Sequence, residues 1–185
     1  LALSIRIPPG VDPDEAAATL GIRGGDPAAL EHYLARGRVH VGDAGSETDQ
    51  AFDAWRADVA AARSSLLLAA SRDTVRELNE QARAERLARL AAPPGREAVL
   101  ADGTRASAGD VLITRLNDRA LRGRDGSWVK NGDRWVVQAV DCNGDLHVAQ
   151  AGRRAGRAGG NLVLPAKYVG GHVQLGYAST IHGAQ

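Results

Sequence analysis

The chain has 185 residues, a formal net charge of +1, 44% hydrophobic content and one cysteine. That hydrophobic share fills a core and excludes global disorder, while the length accommodates one sizeable domain or two small ones. Cys142 alone excludes a disulfide framework, and no apolar run reaches the roughly 18 residues of a membrane span.

No signal-peptide pattern opens the chain, so a soluble protein of a reducing compartment, the cytoplasm, is the expectation, with no membrane partner. Methionine is absent and the sequence starts at Leu1, so it reads as a piece of something longer.

The first ninety residues read as α/β. Asp12-Pro13-Asp14-Glu15 is a helix start, with an Asp N-cap, Pro at the first helical position and acids at the positive end of the dipole. Gly21 is expected to end that helix. Asp26-Pro27 repeats the start, Leu30, Tyr33 and Leu34 offer one apolar face, and Gly37 closes it. Arg38–Val41 is a short strand candidate. A helix from about Thr48 to Arg63 follows, with Phe52, Trp55 and Val59 at helical spacing. Leu66–Ala70 is a continuous apolar run, followed by the polar cap Ser71 and a long helix to about Leu90. Such a pairing is half of a βαβ unit with a buried parallel strand, and Val75, Leu78 and Ala82 form the face packed on the sheet.

Pro93-Pro94-Gly95 breaks this pattern, and the period becomes alternating. Short β-rich runs are predicted at Ala98–Ala101, Val111–Leu116, Trp128–Lys130, Arg134–Val140, Leu146–Gln150 and Leu162–Val169. Asp102-Gly103, Asn131-Gly132 and Asn143-Gly144 are turn signals between them. Strands at this spacing suggest a small closed barrel. Val173–Ala178 then resumes as an apolar strand, and Ser179-Thr180 offers a helix cap. A barrel between two halves of an α/β sheet is an inserted domain.

Charge is unevenly spread. Asp and Glu cease after Asp145, while Arg153, Arg154, Arg157 and Lys167 follow it. Arginine forks match phosphate oxygens, so a basic C-terminal half suggests polyanion contact, although free use of Arg on a solvated surface gives the same pattern. Arg115, Asn117, Arg119, Arg122 and Arg124 lie on a connection before Trp128, close to Lys130. Single-strand binding combines cations with aromatic platforms, which Trp128 and Trp135 can supply. For Trp135, inside an alternating run, packing in the barrel core is favoured. Thr180, His182 and Gln185 sit at a strand-to-helix junction, where free N–H groups favour phosphate. The same residues also fit a capped helix with solvated side chains. His147, His172 and His182 are too dispersed for a metal site.

Thr180-x-His182-x-x-Gln185, preceded by Leu175-Gly176-Tyr177-Ala178, resembles motif V of the superfamily 1 DNA helicases of the RecD-like group. Arg72–Asn79 is similar to the segment that opens the second RecA-like lobe there. Gly109–Asp118 and Val129–Asp133 resemble the SH3-like barrel inserted in that lobe. Residues 22–39 are similar to the segment after motif IV in TraA/TrwC-type (MobF) conjugative relaxase-helicases.

The resemblance implies a partial RecA-like parallel sheet of the P-loop NTPase type with an inserted small SH3-like β-barrel. Residues 1–92 would be the first part of the lobe, 93–171 the barrel, and 172–185 the return to the lobe. It implies ATP-driven translocation on single-stranded DNA, with the first RecA-like lobe of the same chain as partner. Thr180, His182, Arg115, Asn117, Arg119, Arg122, Arg124 and Lys130 would contact DNA. Arg6 and Gln185 would approach ATP, although Ile7 follows Arg6 where the family has Gln or Phe. No G-x-x-x-x-G-K-[ST] occurs. ATP and Mg²⁺ therefore belong to the full-length protein, and this piece is expected to carry no catalytic residue, bind no cofactor or metal alone, and hydrolyse no ATP. A RecD-like repair helicase and a non-catalytic SH3-like interaction module are the alternative readings.

Overall fold

The computed structural model describes residues 2–6, 13–36, 44–63, 65–123, 125–151 and 161–180. It is a mixed α/β structure whose chain divides into two compact units, Leu1–Leu68 and Ala69–Gln185.

In the first unit, β1 (Ala2–Arg6) is followed by α1 (Pro13–Arg23), α2 (Ala28–Ala35) and α3 (Ala44–Ala60), and β2 (Ser65–Ala69) reaches the boundary. Asp14 and Glu15 occupy the first turn of α1, as the dipole favours. The helix does not stop at Gly21. It runs to Arg23, and an added Cβ at Gly21 would lie 2.7 Å from the Ala29 Cβ, so that glycine serves close approach of α1 to α2. Gly24-Gly25 makes the actual stop, with Gly25 at φ +79°. Asp26 Oδ1 accepts from Ala28 N at 2.9 Å and starts α2. The apolar face expected there stays largely in solvent, with Leu30 44% and Leu34 51% exposed. The α3 helix begins and ends earlier than expected, buries Phe52 and packs on β1. The strand candidate at 38–41 lies outside the described residues.

The second unit opens with α4 (Arg72–Ala88), whose N-cap Ser71 accepts from Thr74 N through Oγ at 3.0 Å. Val75, Leu78 and Ala82 are buried, the face that helical periodicity indicates. Each large aliphatic so buried contributes about 1.5–3 kcal/mol. The chain then forms β3 (Ala98–Val99), β4 (Arg105–Ala106), β5 (Val111–Thr114), β6 (Asp118–Arg122), β7 (Trp128–Val129), β8 (Arg134–Val140), β9 (Leu146–Gln150) and β10 (Asn161–Leu164). It ends with α5 (Ala166–His172), β11 (Val173–Leu175) and β12 (Ala178–Thr180).

A five-stranded sheet has the order β10-β9-β8-β5-β11. Every pairing in it is antiparallel. β3–β4 and β6–β7 are separate two-stranded ribbons. Leu112, Trp135, Val137, Leu146, Val148, Leu164, Val173 and Leu175 are almost wholly enclosed and form the core.

Three expectations change. The run 162–169 is not one strand, because Pro165 interrupts it and Asp145 Oδ1 starts α5 by accepting from Ala166 N at 2.7 Å. The run 173–178 is two strands: β11 pairs antiparallel with β5, and the break falls at Gly176. There an added Cβ would stand 2.6 Å from the Leu112 carbonyl carbon, a contact only glycine permits. Ser179 and Thr180 lie in β12 rather than capping a helix.

Candidate nucleic-acid interface

The β6 strand arises where the sequence suggested only a connection, and it pairs with β7, which falls in the β run expected at Trp128–Lys130. β6 carries Arg119 and Arg122, and its pairing with β7 is irregular between Asp118 and Arg122. The chain then turns into β8 through Lys130–Asp133. This turn is fixed by Thr114, whose Oγ1 donates to the Lys130 carbonyl at 2.6 Å, and by Asp133 Oδ2, which accepts from Lys130 N at 2.8 Å. Asn117 Oδ1 accepts from Asn131 N at 2.9 Å, which ties the β5–β6 connection to the same turn.

These constraints gather cations around one ring. The Arg119 guanidinium lies 5.3 Å and the Lys130 ammonium 5.4 Å from the Trp128 ring centroid. Both distances are within cation–π range. Arg122 is exposed nearby in sequence, and its Nε donates to the Arg119 carbonyl at 2.9 Å. Beside Trp128 is a cleft of about 330 Å³ lined by Gly126, Ser127, Lys130, Asp133, Trp135 and Gln150. Trp135 is 1% exposed, so it is a core residue, as alternation favours, while Trp128 remains half-buried. Among the described residues, nothing accepts a hydrogen bond from the Trp135 indole Nε1.

Arg115 stands apart from this group. It is half-buried and donates through Nε to Gln174 Oε1 at 2.8 Å, with burial, and then the nearby Arg72 charge, pushing its pKa down. Thr180 is the half-buried last residue of β12. Arg6 ends β1. His182, Gln185, Arg124 and the basic run Arg153, Arg154 and Arg157 lie outside the described residues. Cys142 is exposed. Among the described residues, no group of three or more His, Cys, Asp or Glu side chains is arranged to hold a metal ion.

A second polar cluster was not anticipated from sequence. Asp110, fully enclosed before β5, accepts from Tyr177 Oη at 2.6 Å, Ser107 N at 2.7 Å, Arg86 Nε at 2.8 Å and Arg83 Nε at 3.0 Å. Glu97 accepts a further bond from Arg83. Burial by itself pushes the Asp110 carboxyl up, but the bonds from Tyr177, Ser107, Arg86 and Arg83 outweigh it and hold the group below its usual range. Burial first, and then the bond to Asp110, raises the Tyr177 phenol. Next to it, Asn79 on α4 accepts from Ala178 N at 2.8 Å and donates to the Ala178 carbonyl at 3.4 Å. Residues 177–178, which lead to Thr180, are thus stitched to α4. The available signal was the Arg83, Arg86 spacing, which places both on one helix face. It did not reveal their partner, which lies over twenty residues away.

No protein-family model matches the chain, and no curated protein matches it either. Among the described residues, no helix is long and apolar enough to cross a membrane.

Proposed function

We propose that this chain is part of the second RecA-like lobe of an ATP-dependent DNA translocase of the RecD-like kind, most similar to the helicase part of conjugative relaxases. Residues in the 93–171 range would form its inserted SH3-like barrel. The observation that carries the reading is the grouping of Arg119 and Lys130 at the ring of Trp128, with Arg122 on β6 beside Arg119. Cations beside an aromatic ring are what sequence-tolerant binding of a single strand uses. Support also comes from the pair of hydrogen bonds between the Asn79 amide and the Ala178 backbone, which fixes the segment leading to Thr180, the residue the resemblance assigns to DNA.

The sequence has no G-x-x-x-x-G-K-[ST], so in this reading nucleotide chemistry belongs to the first lobe, and the chain's own residues grip and position the strand. Localisation in the cytoplasm and a role in conjugation rather than repair are parts of the same proposal.

Titration of a labelled oligonucleotide at several salt concentrations tests it. Weak binding that falls steeply with salt is expected, because neutralising phosphates releases counterions. Replacing Arg119, Arg122 and Arg124 together by Ala lowers the salt slope by up to about three. An unchanged slope would leave those arginines as a solvated surface and favour the interaction-module reading.

A further inference from the structure

We propose that the cleft between Trp128 and Trp135 holds one unstacked nucleobase, and that Arg119 and Lys130 rest on Trp128 only until that base displaces them. The inference rests on the reading that the chain contacts a single strand, and it adds a defined seat for a base. The cleft's volume of about 330 Å³ lies at the lower end of small-molecule sites, which run from about 300 to 1,000 Å³.

Its lining specifies the ligand. One wall is the half-buried ring of Trp128, which offers a surface for stacking. Trp135 also lines the cleft, but its indole N–H is enclosed out of reach of solvent and makes no demand on a ligand. Asp133, also in the lining, is engaged by Lys130 N and stays with the turn it holds. A ligand that suits this lining has a π-face for Trp128 and negative charge for the two cations. A nucleotide has both; a bare phosphate lacks the first, and an uncharged peptide lacks the second.

Relative strengths favour displacement. A cation over an exposed aromatic ring strengthens an interaction about two- to fivefold, whereas a stacked base strengthens binding about five- to 150-fold. The base therefore wins the ring. Both cations sit on flexible stems and, once released, turn towards the phosphates that flank the base. In the free chain they keep the indole covered, which limits exposed apolar surface.

The test compares oligothymidylate with a base-free strand of the same length, using the complete 185-residue chain. Oligothymidylate is expected to bind at least about fivefold more tightly, with a steeper salt slope because the released cations meet phosphates only when a base takes the ring, and to quench tryptophan fluorescence. In Trp128→Phe the quench is lost, and far-UV circular dichroism checks that this variant folds. The two-strand comparison uses the unaltered chain and does not depend on that variant. Equal affinity for the two strands, or a full quench in folded Trp128→Phe, overturns the proposal while leaving strand binding intact. Binding of neither strand overturns the functional reading, and the base seat with it.

Discussion

Two arginine clusters in the second unit put the same side chain to opposite uses. Arg83 and Arg86 project from α4 onto a carboxylate that solvent does not reach, with Nε distances of 3.0 and 2.8 Å to Asp110. Arg119 instead lies on an exposed strand and meets a ring, 5.3 Å from its centroid. In the first cluster the carboxylate is taken wholly out of water and must be matched by largely buried arginines, so the geometry is fixed by several simultaneous bonds. In the second, water still solvates the cation, the contact is weak and the partner is exchangeable. Burial separates the arginine that builds the fold from the arginine that can greet a ligand.

The largest effect that distinguishes them is expected at Asp110. Asp110→Ala leaves Arg83 and Arg86 without their buried acceptor and lowers stability by about 3–5 kcal/mol, measured by urea denaturation. The same group imposes a pH dependence. Its folded-state pKa lies below the unfolded one, so its contribution is complete above the ordinary carboxylate range near pH 4. That contribution is lost as the pH falls through the folded value, and Asp110→Asn flattens this acid limb of the stability profile. An acid limb unchanged in Asp110→Asn would place the titrating group elsewhere.

Gly176→Ala is expected to cost less, about 1–3 kcal/mol, because the added methyl meets the Leu112 backbone and one strand must move. It tests whether the close approach of β11 and β5 is needed to hold the Asp110–Tyr177 bond, and a raised hydrogen-exchange rate at the Ala178 amide reports its loosening. The smallest effect belongs to the exposed cluster. Arg119→Ala changes stability by no more than about 0.5 kcal/mol while still weakening oligonucleotide binding. A loss of stability comparable to that of Asp110→Ala would erase the contrast between the clusters.

The elements with strong local signals are legible in the sequence. The α4 helix shows its cap, its buried face and its length, since capping and period act within a few residues. The turns at Asp102-Gly103, Asn131-Gly132 and Asn143-Gly144 carry their glycines at φ +82°, +88° and +85°, backbone angles that the residue pair itself advertises. Alternation also gives the buried fate of Trp135 and the full extent of β8. The β6 strand is not legible, because Asp118–Arg122 has no alternating apolar face and its pairing with β7 is irregular.

For the candidate interface, the residue types and their nearness in sequence pointed to Arg119, Trp128 and Lys130, but not to a cation–π arrangement. That depends on a ribbon turn pinned by Thr114, whose acceptors lie 16 and 19 residues further on. Arg115 looked equivalent to its neighbours until packing buried it beside Gln174, 59 residues away. Local sequence sets where α1 and α4 start, where the Asn-Gly and Asp-Gly turns fall and which tryptophan faces the core, because those choices rest on backbone sterics and local periodicity. Only the tertiary structure decided that β11 joins the antiparallel sheet and that Asp110 collects two arginines and a tyrosine from as far as 67 residues away. Such partners are selected by the need to satisfy a buried charge, and that need exists only once the chain has enclosed it.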